Sequence, residues 1–147
     1  MKTFFDAAAR GGILARAERI TMDSRPRWGK MNAEMMLAHL VESLRMGVGE
    51  TQPKPKKLPI RFPPLRQLIV YWLPFPKGVP TAPELLPSDR RSIEESKREL
   101  VRLAALFGER AAHPEWPPHP AFGNLGRRGW GVLTYRHLDH HLRQFGV

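Results

Sequence analysis

The sequence predicts an all-α fold, most simply a four-helix bundle, in a single domain that spans residues 1–147. Two observations lead to this prediction. Four segments carry apolar residues at the spacing of an amphipathic helix, and no segment shows the alternation that is typical of a strand. Hydrophobic residues make up 41% of the chain, which is enough to form a sizeable core.

The predicted helices have recognisable ends. They are expected at about 7–20, 32–48, 89–108 and 128–145. Asn32 is a favourable N-cap for the second helix, because its side chain can accept a hydrogen bond from the first turn. Gly108 and Gly146 are expected to end the third and fourth helices, since glycine tolerates the backbone conformation that closes a helix.

A long proline-rich connection joins the second and third helices. Residues 53–87 contain most of the chain's 15 prolines, and only PLRQLIVYWL, with Pro64 near its start, is expected to form a short helix. Connections of this length often have a functional or covering role. We expect the proline-rich connection to cover the histidine end of the bundle, because its apolar residues are too numerous to stay exposed in a monomer. The alternative is that these residues mediate a homodimer or touch a membrane. These apolar residues are Leu68, Ile69, Val70, Trp72, Leu73 and Phe75.

The composition excludes several classes of site. The chain contains no cysteine, so disulfides, iron–sulfur clusters and cysteine nucleophiles are excluded, and a transition metal must be held by His, Asp or Glu. The longest apolar run, LIVYWL, is far shorter than the roughly 20 residues of a transmembrane helix. The N-terminus does not resemble a signal peptide, so the sequence predicts a cytoplasmic protein.

The chain is strongly basic, with 24 Lys and Arg residues against 14 Asp and Glu residues. Such a charge is compatible with nucleic acid, an anionic membrane or an acidic substrate. The basic residues are scattered along the chain, and the densest group, at 54–66, lies in the proline-rich connection. We therefore interpret the charge as mainly solvated surface and expect no specific binding of nucleic acid.

Two of the six histidines, His137 and His141, lie near the centre of the inward face of the fourth helix when it is projected at about 100° per residue. They are one turn apart, so both rings can reach a single metal ion. His140 lies at the edge of that face. A helical pair of this kind also occurs as a purely structural feature, and the zinc-protease motif HExxH is absent because no Glu follows His137.

The second helix offers a third histidine. His39 lies roughly opposite the aliphatic stripe of that helix, on a face that it shares with Glu42 and two methionines. Either this face is exposed surface, or it lines a pocket in which Glu42 orients a ligand or acts as a base. His113 and His119 each precede a proline and are expected at the surface or in a turn.

Four stretches of the sequence, taken together, resemble a known superfamily. They are RWGKMNAEMMLAHLVESLRMGVGE at 27–50, PFPKGVPTAPEL at 74–85, HPAFGNL at 119–125 and WGVLTYRHLDHHLRQFG at 130–146. The pattern is similar to that of the DinB-like four-helix superfamily, in a bacterial branch designated only as a domain of unknown function. The resemblance implies a four-helix bundle in which His39, His137 and His141 bind a divalent metal, with nickel and zinc the first choices.

The resemblance also implies a class of chemistry. Some members of the superfamily transfer low-molecular-weight thiols such as bacillithiol or mycothiol, and one type isomerises maleylpyruvate. The first hypothesis is therefore a metal-dependent thiol transferase or hydrolase that acts on a small molecule. Glu42 would move protons in this reaction, and Tyr135 is a less favourably placed alternative. The basic residues at 53–66 would hold an acidic substrate or a thiol cofactor.

Two other functions remain open at this point. One is a non-catalytic binding or stress-response protein in which the histidine site is structural or vestigial. The other is binding to nucleic acid or a membrane surface through the basic connection, which also contains Phe62, Tyr71 and Trp72. No helix-turn-helix or RNA-binding motif is visible in the sequence, so this last function ranks lowest.

Overall fold

The computed structural model describes residues 1–77 and 91–147, and within them the fold is all-helical, without a strand. The five helices are α1 (Ala7–Glu18), α2 (Ala33–Val48), α3 (Leu65–Gln67), α4 (Ile93–Glu109) and α5 (Gly126–Gln144). Helix α3 continues into a π-helical turn at Leu68–Trp72. The predicted all-α class is confirmed for these residues. None of the helices in the described ranges has both the length and the apolar character that crossing a bilayer requires.

The core lies between α2 and the helices around it. Helix α2 packs along α4 and against α5, and α1 packs against both α4 and α5. Gly47 of α2 permits a close approach, because a Cβ at this position would lie 2.9 Å from the ring of Phe107. Phe107 in turn packs against Phe4 and Trp116, with ring centroids 5.3 and 5.2 Å apart. A Cβ at Gly47 would also lie 3.4 Å from the ring of Trp130 in α5, so α2 lies close to both α4 and α5 at this point.

The ends of α2 were predicted correctly and those of α4 were not. The Asn32 side chain accepts a hydrogen bond from Met35 N, as expected of an N-cap. Helix α4 was predicted from residue 89 but begins at Ile93, because Ser92 and Glu95 form a reciprocal capping box. Residues 89 and 90 lie outside the described ranges. Gly108 does not end α4, which continues to Glu109.

Helix α5 ends just beyond its last histidine. Gly146 has a positive φ of 78°, a conformation that glycine adopts without strain, so its predicted role as the stop is confirmed. Its N–H donates to Arg143 O at 3.0 Å, and Val147 N–H donates to Leu142 O at 3.1 Å. The last turn of α5 is therefore closed by backbone hydrogen bonds, which fixes the direction of the side chains on it.

Arginines fasten the proline-rich connection to the rest of the fold. Arg61 donates to Pro120 O at 3.0 Å, and Arg66 donates to Asn124 O at 3.2 Å. From α5, Arg136 donates to the carbonyl oxygens of Ile69 and Val70, at 2.8 and 2.5 Å. Part of the basic charge of the connection is thus used to bind backbone oxygens of the same chain.

The connection buries only part of its apolar surface. Val70 is fully buried, and the short helix predicted near Pro64 is present as α3 and its π-helical continuation. Trp72 is 72% exposed, and Leu68 and Leu73 are also exposed. The expectation that these apolar residues would be buried is therefore wrong for all three. Residues 78–87 of the connection lie outside the described ranges.

Candidate metal centre

Three histidines from α2 and α5 converge on one point, and we refer to His39, His137 and His141 as the histidine cluster. Each ring offers one nitrogen, and these nitrogens lie within 4.8 Å of one another. The Nε2 atoms of His39 and His137 are 2.9 Å apart. The ring of His141 has its centroid 4.8 Å from that of each other ring. This arrangement could hold a metal ion.

The inward face of α5 agrees with the helical projection, with one exception. The projection at about 100° per residue that turns His137 and His141 inward puts Val132 on the outer side, but Val132 is only 4% exposed. The N-terminal segment packs against this part of α5, where Phe4 N–H donates to Gly131 O at 2.9 Å, so both sides of the helix are covered there. The residues predicted to face inward and found buried are Trp130, Leu133, Thr134, His141, Gln144 and Phe145.

Burial keeps the α5 histidines in their neutral form. Burial lowers the pKa of His137 well below its usual range, and the neighbouring imidazoles of His141 and His39 lower it further. Burial followed by the proximity of His39 lowers the pKa of His141 to about 3, against a hydrogen bond to Gln144 that acts in the opposite direction. Both rings are therefore neutral near pH 7, and neutral imidazole is the form that binds a metal ion.

A second layer of hydrogen bonds orients His141. Gln144 Nε2 donates to Trp28 O at 2.7 Å, which turns the Gln144 oxygen toward His141 Nδ1 at 2.8 Å. That oxygen can only accept, so His141 carries its proton on Nδ1 and keeps the Nε2 lone pair for a ligand. Gly29 makes room for this arrangement, because a Cβ there would lie 2.5 Å from Gln144 Nε2.

The geometry of the histidine cluster fits a small divalent ion. In a tetrahedral zinc site with bonds of about 2 Å, ligand nitrogens lie about 3.3 Å apart. The separation of 2.9 Å between His39 and His137 is slightly below this value, and the 4.8 Å limit for the whole cluster is somewhat above it. Binding an ion would therefore draw the more distant nitrogens closer together. Three nitrogen donors with no sulfur also suit nickel or zinc.

Glu42 is not one of the converging ligand residues, and the contacts described for Glu42 and Tyr135 are with other parts of the chain. The Glu42 carboxylate accepts a hydrogen bond from Arg91 at 2.9 Å and lies 3.4 Å from Arg45. Tyr135 is half-buried and packs against the hydrophobic core, with Lys2 Nζ 5.8 Å from its ring centroid. These contacts give both residues a structural role, and the proton-transfer roles that the sequence suggested stay predictions.

A mostly apolar cavity of about 200 Å³ adjoins the histidine cluster. Phe75 forms part of its wall, and the ring of Phe75 lies 6.4 Å from that of His137 and 5.8 Å from that of His140. The proline-rich connection thus reaches the histidine end of the fold through Phe75, as expected. The lining residues are Ser43, Met46, Phe75, His119, Phe122, Trp130, Leu133, Thr134 and His137.

His119 is a cavity residue that the sequence did not reveal. It was expected at the surface or in a turn; it does lie in a tight turn, but it is only 9% exposed and lines the cavity. Its Nδ1 accepts hydrogen bonds from the N–H groups of Ala121 and Phe122, at 3.1 and 3.2 Å. Burial, with a smaller effect from Arg61, lowers the pKa of His119 to about 3. His113 is exposed, as predicted.

Comparison with known proteins places the chain in a family. Residues 13–146 match the family described as "Protein of unknown function (DUF1569)". The chain belongs to the DUF1569 family. No curated protein and no solved structure matches it.

The DUF1569 match covers the whole candidate site. The matched range includes the histidine cluster, the Gln144 hydrogen bonds and every residue of the cavity wall. Residues 1–12, including Phe4 and Phe5 of the aromatic core, lie outside it. The family description assigns no activity, so the site itself must indicate the function of this DUF1569 protein.

Proposed function

We propose that the histidine cluster binds one divalent metal ion, nickel or zinc, and that the ion serves the chemistry of a small molecule held in the adjacent cavity. The observation that carries this proposal is the convergence of three imidazoles beside a cavity that His137 also lines. The scaffold would be a DinB-like four-helix bundle built from α1, α2, α4 and α5, which is supported by the packing of these helices on one another.

Three protein ligands are typical of a catalytic site. Structural zinc sites usually have four protein ligands, whereas catalytic sites have three and leave a position for water or substrate. When bound in this way, a divalent ion supplies Lewis-acid chemistry and favours the deprotonated form of a water or thiol. Transfer of a small thiol and hydrolysis are therefore the two reaction types that we propose, with the thiol as a co-substrate in the first.

The surrounding residues would position the ligand and limit access of water. Phe75, Phe122 and Trp130 form apolar walls of the cavity, and a dry site strengthens electrostatic interactions within it. The Ser43 hydroxyl donates to Leu40 O at 2.8 Å, which leaves its lone pairs for a donor group on the ligand. Gln144 would hold His141 in the orientation that the metal requires.

One observation favours the alternative of a structural histidine site. The Nε2 atoms of His39 and His137 lie at hydrogen-bonding distance, so these two rings can satisfy each other without an ion. A non-catalytic protein, for binding or stress response, would need nothing more. The two functions differ in a measurable quantity, because only the first requires a bound metal.

Metal content tests the proposal. The protein should be purified without immobilised-metal chromatography and analysed by inductively coupled plasma mass spectrometry. We expect about one nickel or zinc ion per chain in the wild type, and a large loss in His137→Ala. His140→Ala is the matched control, since His140 lies on the same helix but outside the cluster. Wild-type protein without metal, which also fails to bind added zinc or nickel, would support the structural alternative.

A further inference from the structure

We infer that the cavity binds a ligand about the size of one six-membered ring, and that His119 recognises it by donating an Nε2–H hydrogen bond to an acceptor atom such as a carbonyl oxygen. This inference deepens the proposed function by naming the class of ligand. His119 is not part of the histidine cluster, yet it lines the same cavity as His137. A ligand that fills the cavity would therefore contact both residues.

The hydrogen bonds of its own turn fix the tautomer of His119. Two backbone N–H groups, those of Ala121 and Phe122, donate to Nδ1. An atom that accepts two hydrogen bonds carries no proton, so in the neutral ring the proton is on Nε2. The turn itself is closed by two backbone hydrogen bonds of 2.8 Å between His119 and Gly123. The ring lines the cavity and is held rigidly, with its proton on Nε2.

Neighbouring aromatic rings also hold His119 in place. Its ring centroid lies 4.9 Å from that of Phe122 and 5.3 Å from that of Trp130. Both neighbours line the cavity as well, and Trp130 is itself fixed by a 2.8 Å hydrogen bond from its Nε1 to Pro117 O. A donor that cannot turn away from the cavity costs little entropy when a ligand binds, which is the condition for selective recognition.

The cavity wall determines the size and charge of the ligand. An apolar cavity of about 150 Å³ in another protein accommodates benzene, so about 200 Å³ leaves room for one ring with a small substituent. Among the described residues, those that line the cavity include no carboxylate, lysine or arginine. A cationic ligand would lose its hydration without gaining a counter-charge from these residues.

Two hydroxyl groups in the wall are weaker candidates for the donor. Ser43 already donates its proton to Leu40 O. Thr134 lines the cavity from α5, where a threonine hydroxyl can turn back to the carbonyl of the preceding turn. Neither is held by two fixed hydrogen bonds as His119 is, and Thr134 can be tested directly by an isosteric change.

The experiment uses two ligands of nearly the same shape. Acetophenone carries a carbonyl oxygen, and α-methylstyrene carries a methylene group in its place. Their affinities for the full-length protein would be measured by equilibrium dialysis, both as purified and after removal of metal by a chelator. The relevant quantity is the acetophenone affinity divided by the α-methylstyrene affinity, because this ratio cancels changes in cavity volume and hydrophobicity that affect both ligands equally.

His119→Asn is the informative variant. Asn places an oxygen where His119 has Nδ1, so the hydrogen bonds from Ala121 and Phe122 are kept while the Nε2–H donor is lost. We expect the affinity ratio to fall on the order of tenfold, since an acceptor left unpaired in a buried site is costly. His119→Gln, which restores an N–H near the Nε2 position, should recover most of the ratio. Thr134→Val should leave it unchanged.

Several results would overturn the inference. One is an affinity ratio in His119→Asn equal to that of the wild type. Another is a tenfold fall of the ratio in Thr134→Val with no fall in His119→Asn. The third is that neither ligand binds to the wild type. These three results can be interpreted apart from metal binding, because the metal content of the same samples is measured separately. A protein that binds zinc but shows no dependence on His119 would retain the proposed function and refute this inference alone.

Discussion

Helix α2 contributes to two polar clusters that differ in how their members are satisfied. In the first, which we call the carboxylate–arginine cluster, opposite charges meet: Glu42 lies 2.9 Å from Arg91, and Arg45 lies 2.9 Å from Glu99. A hydrogen bond from Arg102 is the main reason that the pKa of Glu99 is lowered to about 2. The charges of this cluster are thus paired within the chain, although Arg45 Nε is buried without a hydrogen-bond partner among the described residues and lies 3.6 Å from the Glu50 carboxylate.

The histidine cluster is built from like groups. Three imidazoles bring their nitrogens within 4.8 Å of one another, and protonation of any one would place a positive charge beside the others. The pKa of His137 and that of His141 are accordingly lowered, first by burial and then by the neighbouring rings. The comparison teaches that a cluster of opposite charges is paired within the chain, whereas a cluster of like imidazoles could hold a metal ion, which is the basis of the proposed site.

The largest expected effect is on thermal stability in the presence of metal. Zinc at about 1,000 times its dissociation constant should stabilise the wild type by about 4 kcal/mol, which corresponds to a rise in Tm on the order of 10 °C for a chain of this size. His137→Ala should lose this rise. Glu42→Gln should keep it, because the carboxylate–arginine cluster is not involved in binding. Differential scanning calorimetry with and without zinc measures all three, and an equal rise in His137→Ala would contradict the assignment.

Acid should act on the buried histidines before it acts on the carboxylates. A histidine whose pKa is lowered on folding is protonated more readily in the unfolded state, so stability falls as pH drops from about 6.5 toward 3. His119 alone, with a pKa of about 3, should account for about 2 kcal/mol of the loss between pH 7 and pH 5. Urea denaturation of metal-free protein should show a pH dependence smaller by that amount in His119→Asn.

Glu99 provides the contrast in the same experiment. Its lowered pKa of about 2 means that its contribution is retained until the pH falls below about 4.5. Glu99→Gln should therefore leave the difference in stability between pH 7 and pH 5 unchanged, even if it lowers stability at both values. An equal effect of His119→Asn and Glu99→Gln on this difference would show that the two kinds of group do not titrate in separate ranges.

A smaller effect is expected from the hydrogen bond that orients His141. Gln144→Met keeps the length of the side chain but removes the acceptor for His141 Nδ1–H. Loss of such a partner typically lowers metal affinity by about 10- to 100-fold. Arg143→Ala is a suitable control, since Arg143 is exposed and its ion pair among the described residues is with Asp139. Competition with a chromogenic zinc chelator measures both variants; equal affinities would mean that Gln144 has no role in orienting the ligand.

The smallest expected effect is that of Glu42→Gln on stability alone. The substitution removes the charge that pairs with Arg91 and Arg45 and should cost about 1 kcal/mol in the free energy of unfolding. Metal affinity should stay within twofold of the wild type. A large loss of metal affinity would return Glu42 to the role near the metal that the sequence first suggested.

The sequence predicted the helices and the inward face of α5 because both depend on periodicity. Apolar spacing of 3.6 residues identified the four long helices, and the same projection selected His137 and His141. His39 required the family resemblance, since helix α2 is buried on nearly all sides and its hydrophobic pattern alone leaves two faces open. Periodicity is thus informative for a residue on a helix that is exposed on one side, and less so for a helix at the centre of the core.

The cavity could not be predicted in this way because parts of its wall come from turns. His119 is placed by hydrogen bonds within residues 119–123 and by the rings beside it, and none of these leaves a periodic signal. The role of Gln144 depends on Trp28, which is distant in sequence. The start of α4 at Ile93, by contrast, could have been predicted from the sequence. A serine followed three residues later by a glutamate, here Ser92 and Glu95, is a recognisable capping box.

Isothermal titration of zinc into metal-free protein tests the central claim most directly. We predict one ion per chain for the wild type and for His140→Ala, and no measurable binding at that site for variants in which a member of the histidine cluster is replaced by alanine. His39→Ala is the most demanding of these, because His39 is the only member that comes from α2. Absence of binding to the wild type, or unchanged binding in His39→Ala, would contradict the account.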